Sequence, residues 1–161
     1  MTFHYDLNAR LTGHSPTAEE RASLEAWFAA YDTASGEGDV AAMGDAAVFP
    51  LNLVSDDSSG NAWTGQWDRE QFTATMTRVM GEAAGGGALT FTSERTPVFL
   101  SPALVVVFTR STMTVAGEDE PGQEMTYADI LVRSEGTWAF QTMIQGGWGD
   151  MLNGMPDMAH G

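Results

Sequence analysis

A carboxylate stands in the middle of "TYADILVRSEGTW", residues 126–138. Tyr127, Ile130, Leu131 and Val132 favour a strand, and Ser134-Glu135-Gly136 ends it as a turn. Asp129 is out of place there, because an unpaired carboxylate is costly to bury. Strand alternation puts Met125, Tyr127, Asp129, Leu131 and Arg133 on one face. Facing a pocket, Asp129 would be desolvated, its pKa would rise, and it could donate a hydrogen bond as a neutral acid. Paired with a cation, it would stay an anion. Arg110 is the candidate cation: a turn centred near Asp119 would set the two almost opposite each other on neighbouring strands.

Elimination narrows the chemistry further. The 161-residue chain has no Cys, and all seven of its basic residues are Arg. Thiolate and Schiff-base chemistry are thereby excluded, as is a lysine-anchored pyridoxal group. The histidines, His4, His14 and His160, lie near the two ends and have no metal-ligand spacing. The remaining tools are carboxylates, phenols, Arg, amides and hydroxyls, and neither a metal nor a cofactor is expected.

The net charge of −15 disfavours nucleic acid and anionic membrane surfaces as partners. No apolar run is long enough to span a bilayer, and the first residues have no basic start followed by an apolar stretch. A cytoplasmic protein is the resulting expectation.

The elements that would hold these residues can be read from local pattern. Thr17 and Glu20 have capping-box spacing, and Leu24, Trp27, Phe28 and Tyr31 make one helical stripe that ends near Gly36 and Gly38. Asp39 caps a second, short helix. "VFPLNLVSDDSSGNAWTGQW" reads as two strands around a polar turn, and Asp68 with Gln71 starts a third helix. Strands are predicted at about 88–99, 104–115, 123–134 and 137–147, as an antiparallel meander. The fold class is α+β, in one domain over residues 1–161 with a core at 17–148 and tails at 1–14 and 149–161. In the tail, Met151, Leu152, Met155 and Met158 would cover a pocket mouth or a partner subunit, or be disordered.

This order resembles the nuclear-transport-factor-2-like superfamily, which includes SnoaL-like polyketide cyclases, ketosteroid isomerases, scytalone dehydratases and limonene epoxide hydrolases. The likeness rests on "AWFAAYDTASGEGDVAAM" (26–43), "WDREQFTATM" (67–76) and "YADILVRSEGTWAFQTMIQ" (127–145). It implies a curved, mostly antiparallel sheet wrapped around three N-terminal helices as a cone with an internal pocket. It also implies a homodimer through the open sheet. Tyr31 and Asp129 match the tyrosine and Asp that form the oxyanion hole in ketosteroid isomerases. The position of that family's base falls on Ser55, or with a slip of one or two residues on Asp56 or Asp57.

Two readings of function follow. One is a cofactor-independent isomerase, cyclase, dehydratase or epoxide hydrolase acting on a small hydrophobic carbonyl- or epoxide-bearing molecule. Its catalytic set would be Asp129, Tyr31, Asp56 or Asp57, and Arg110 as tuner of Asp129; an epoxide-hydrolase-like site would use Asp and Arg together. Trp27, Asn52, Tyr127, Gln141, Met143 and Gln145 would line the pocket. The other reading is a dimeric module that holds a lipophilic ligand or peptide without chemistry, with Tyr31 a core residue and Asp129 locked in an ion pair.

Overall fold

A computed structural model describes residues 1–84, 89–117 and 122–152. The chain enters through β1 (Thr2–Phe3) and α1 (Asn8–Leu11), two elements without a strong local sequence signal. The long helix α2 (Ala18–Glu37) follows. Thr17 accepts from the Glu20 amide at 3.1 Å while the Glu20 carboxylate accepts from the Thr17 amide, a complete capping box. Gly38, at φ +69°, closes the helix in the left-handed conformation that favours glycine. Asp39 then caps α3 (Val40–Asp45) by accepting from Ala42.

β2 (Ala47–Asp56) and β3 (Ala62–Trp67) form the predicted strand pair. Asp68 and Gln71 cap α4 (Arg69–Ala84) reciprocally, at 2.8 and 2.9 Å. The meander is β4 (Leu89–Ser101), β5 (Leu104–Val115), β6 (Gln123–Ser134) and β7 (Thr137–Ile144), and a short α5 (Trp148–Leu152) comes last. The centre of the 116–123 turn and the tail methionines Met155 and Met158 lie outside the described residues.

All seven strands join one sheet in the order β1-β4-β5-β6-β7-β2-β3. The β4–β5, β5–β6, β6–β7 and β2–β3 pairs are antiparallel, whereas β1–β4 and β2–β7 are parallel. The expected cone is corrected here. The sheet is open, neither closed nor strongly curled around the helices, and its edges are β1 and β3. With two and six residues, these edge strands offer little ladder for closure. Helices cover one face instead: α2 leans on β4, α3 on β2 and α4 on β3.

The core fills the space between that face and the helices, with Leu24, Phe28, Phe72, Phe99, Val107, Leu131 and Trp138 almost wholly buried. At roughly 25 cal/mol per Å² of apolar surface, each such side chain contributes about 1.5–3 kcal/mol to folding. No helix among the described residues is long and apolar enough to cross a membrane.

Candidate functional site

A cavity of about 260 Å³ lies between the helices and the sheet. Its walls divide by chemistry. Seven of the ten methionines line it, together with Leu53, Trp67, Val79 and Phe91. Against this apolar wall stand the polar groups Tyr31, Asp32, Arg95, Tyr127 and Asp129, with Ser93 and Ser111 beside them.

β6 delivers Asp129. Alternation aims Met125, Tyr127 and Asp129 into the cavity from one strand. Val107 and Met143 flank Asp129 on the neighbouring strands, so its nearest sheet neighbours are apolar. The residue is 5% exposed and makes no ion pair among the described residues. Burial pushes its carboxyl up to about 7, with the charge of Arg95 pulling the other way. At neutral pH such a group holds its proton part of the time, so it can either give or take one.

The expected Arg110–Asp129 pair does not form. The β5–β6 register sets Arg110 opposite Thr126 and Asp129 opposite Val107, three residues away from the required alignment. Arg110 also projects from the exposed side of β5, where it meets Glu94 at 3.3 Å. The cation of the cavity is Arg95, which sequence reasoning missed. Its guanidinium binds Asp32 through both terminal nitrogens at 2.7 Å each and lies 4.1 Å from the centre of the Phe28 ring. Arg95 is 2% exposed. Burial works against its charge, but the hydrogen bonds and charge of Asp32 hold its pKa above the usual range. The two residues lie 63 positions apart, and no local pattern joins them.

Tyr31 comes from α2, one turn after Trp27. The Trp27 ring stacks on it at 5.7 Å and 5°, and Phe140 meets it edge-on at 4.9 Å. Trp27 is thus a support for Tyr31 and not a lining residue. Burial first, and then the charge of Asp129, raise the Tyr31 pKa and keep the phenol protonated. The pKa of Tyr127 is raised by burial as well. Both phenols are therefore hydrogen-bond donors on the same side of the cavity as Asp129.

The other expected positions scatter. Asp56 and Asp57 do not line the cavity. Asp56 accepts the Gly147 amide at 2.8 Å, and Asp57 accepts those of Ser59 and Asn61 to shape the β2–β3 turn. Asn52 faces outward and accepts from Gln66 at 2.8 Å, because strand parity gives the inner side to Leu51 and Leu53. Met143 and Gln145 line the cavity, but Gln141 does not. The ladder slips between Ile130 and Leu131, leaving Gln141 as an extra residue between Phe140 and Thr142. A bulge of this kind breaks the parity that would place Gln141 with Met143. Among the described residues, no three His, Cys, Asp or Glu side chains gather into a group that could hold a metal ion.

The chain has the nuclear-transport-factor-2-like fold, as its likeness to solved structures shows. Among similar solved structures is Aln2 from a Streptomyces species, at TM-score 0.66 and 15% identity over 86% of this chain and 98% of that one. An NTF2-like protein of unknown function from Pseudomonas putida matches at 0.64 and 13% identity, over 81% and 88% of the two chains. A candidate scytalone dehydratase from Novosphingobium aromaticivorans matches at 0.55 and 14% identity, over 78% and 81%. No protein-family profile matches the sequence, and no curated protein does. At these identities the likeness establishes the fold and leaves the chemistry to the site itself.

Proposed function

We propose that the chain is a cofactor-independent acid/base enzyme acting on a small apolar molecule that carries a carbonyl, hydroxyl or epoxide oxygen. The observation that carries this reading is the Asp129 carboxyl, buried without an ion-pair partner in an apolar cavity beside two protonated phenols. Such a carboxyl is suited to general acid/base work near neutral pH.

In the proposed reaction, Tyr31 and Tyr127 hydrogen-bond the substrate oxygen and stabilise charge that develops on it. Asp129 moves the proton to or from the neighbouring carbon or the leaving oxygen. Arg95 with Asp32 forms a fixed, internally neutralised base to the polar wall, and its residual field keeps Asp129 within working range. Met143 and Gln145 help to seat the apolar body of the ligand. The resemblance of the fold to a candidate scytalone dehydratase and to a candidate dehydratase from Streptomyces avermitilis supports dehydration as one member of this reaction class. A homodimer and a cytoplasmic location belong to the same proposal.

The test is a panel of small cyclic ketones, β-hydroxyketones and epoxides, followed by mass spectrometry in D2O. Wild-type protein is expected to eliminate water from, open, or exchange deuterium into a member of the panel. Asp129→Asn is expected to lose at least about a hundredfold of that rate, in keeping with the size of general acid/base effects. Panel members that bind tightly but emerge unchanged would instead mark a binding module.

A further inference from the structure

The cavity is walled on one side by α5, and α5 is held by the end of β2 and the β2–β3 turn. Trp148 and Met151 of this helix line the cavity. Met151 is also 40% exposed, so α5 borders the mouth where the cavity meets solvent. Three sets of polar contacts fix the helix. Ser55 donates to the Gln145 carbonyl and accepts the Trp148 amide at 3.0 Å. Asp56 accepts the Gly147 amide at 2.8 Å. On its exposed side, Asp150 accepts both the Ser58 amide and the Ser58 hydroxyl at 3.0 Å.

The chain ahead of α5 is Gly146-Gly147, and Gly147 has φ +91°. Gly149 lies so close to the turn that an added Cβ would come within 2.8 Å of the Asp56 carbonyl oxygen. Buried Leu152 pins the far end. This five-residue helix after two glycines, with its outer bonds in solvent, is the shortest of the elements that wall the cavity. The other walls belong to continuous strands and to α2, α3 and α4.

We infer that α5 is a movable wall governing ligand access, with Ser58 and Asp150 as the latch that sets how often it opens. This rests on the cavity being the ligand site, but the test reads ligand uptake and not turnover, so the acid/base reading can fail while this inference stands. Asp150 and Ser58 are positioning residues; neither lines the cavity.

The probe is 1,4-naphthoquinone, a carbonyl-bearing ring pair that quenches tryptophan and that meets no thiol and no lysine amine in this chain. Its uptake is followed by stopped-flow Trp fluorescence. Asp150→Ala and Ser58→Ala are expected to raise the association and dissociation rates together by about tenfold, the effect of losing one or two hydrogen bonds. The equilibrium affinity should change far less than either rate. Ser58→Thr, which keeps both donors, is expected to behave as wild type, and Ser58→Ala covers the case in which Asp150→Ala fails to fold. Unchanged rates in Ser58→Ala, a change in dissociation alone, or no uptake by wild-type protein would overturn the inference.

Discussion

Arg95 gives both of its terminal nitrogens to Asp32, at 2.7 Å each, and this leaves the Asp129 carboxyl in the same cavity without an ion-pair partner among the described residues. One carboxylate neutralises the buried cation, and the other carries the desolvation. The separation of roles follows from where the strands and α2 place them. Asp32 is one residue beyond Tyr31 on α2, while Asp129 lies between Val107 and Met143 in the sheet.

Removing the Asp32 carboxylate should therefore do two things. Asp32→Ala strands a buried guanidinium, which typically costs roughly 3–5 kcal/mol, visible as a large fall in Tm. The freed positive charge also favours ionised Asp129, so the limb of the activity profile set by Asp129 should move to lower pH. A profile that stays in place would separate Arg95 from Asp129.

Tyr31→Phe and Tyr127→Phe keep the cavity's shape and remove one donor each. Each is expected to lower kcat by about a hundred- to a thousandfold, the range for loss of an oxyanion donor, with probe affinity changed only a few-fold. An unchanged kcat would leave the phenols as core residues.

Arg110 sits on the exposed side of β5 against Glu94. Exposed pairs of this sort contribute about 0–1 kcal/mol. Arg110→Ala should leave the pH profile untouched and shift Tm by no more than about 4 °C, as differential scanning fluorimetry would show.

Gly149→Ala places a methyl group 2.8 Å from the Asp56 carbonyl oxygen. The helix α5 must shift to accommodate it, so ligand uptake should quicken while the meander strands keep their amide protection in hydrogen exchange. Slowed uptake would contradict the role given to α5.

Much of the scaffold was legible because its signals are local. The Thr17–Glu20 and Asp68–Gln71 caps, the Gly38 terminus and the four meander strands each depend on residues within one turn or one hairpin. Asp129 and Tyr31 could be singled out for the same reason: each stands out against its own element. Long-range geometry was not legible. The Arg95–Asp32 pair joins a strand and a helix 63 positions apart, and both residues look like ordinary surface charges in sequence. The Arg110 expectation failed on a register offset of three residues, which depends on the turn and not on the strands. Gln141 left the cavity because a single bulge changes parity. The cone gave way to an open sheet because closure depends on edge strands that carry almost no pattern in two or six residues.

Burial of Asp129 has a consequence for stability. Its folded-state pKa of about 7 lies above the ordinary value of 3.8, so between those limits the folded state holds a proton that the unfolded chain has released. The stabilisation is fully present below about pH 4 and is lost as the pH rises through 7. Subtracting the Asp129→Asn stability curve from the wild-type curve in urea titrations should isolate this loss, on the order of a few kcal/mol. A flat difference between about pH 4 and 8 would mean that the carboxyl is solvated.

The protonation of Asp129 itself is the most direct measure. In protein labelled with 13C at aspartate carboxyl carbons, the resonance missing from Asp129→Asn can be assigned to this residue and followed from acid to alkaline pH. A midpoint near 7 is the predicted result. A midpoint at or below about 4 would show an ordinary ionised carboxylate and contradict its role as the acid/base group of the cavity.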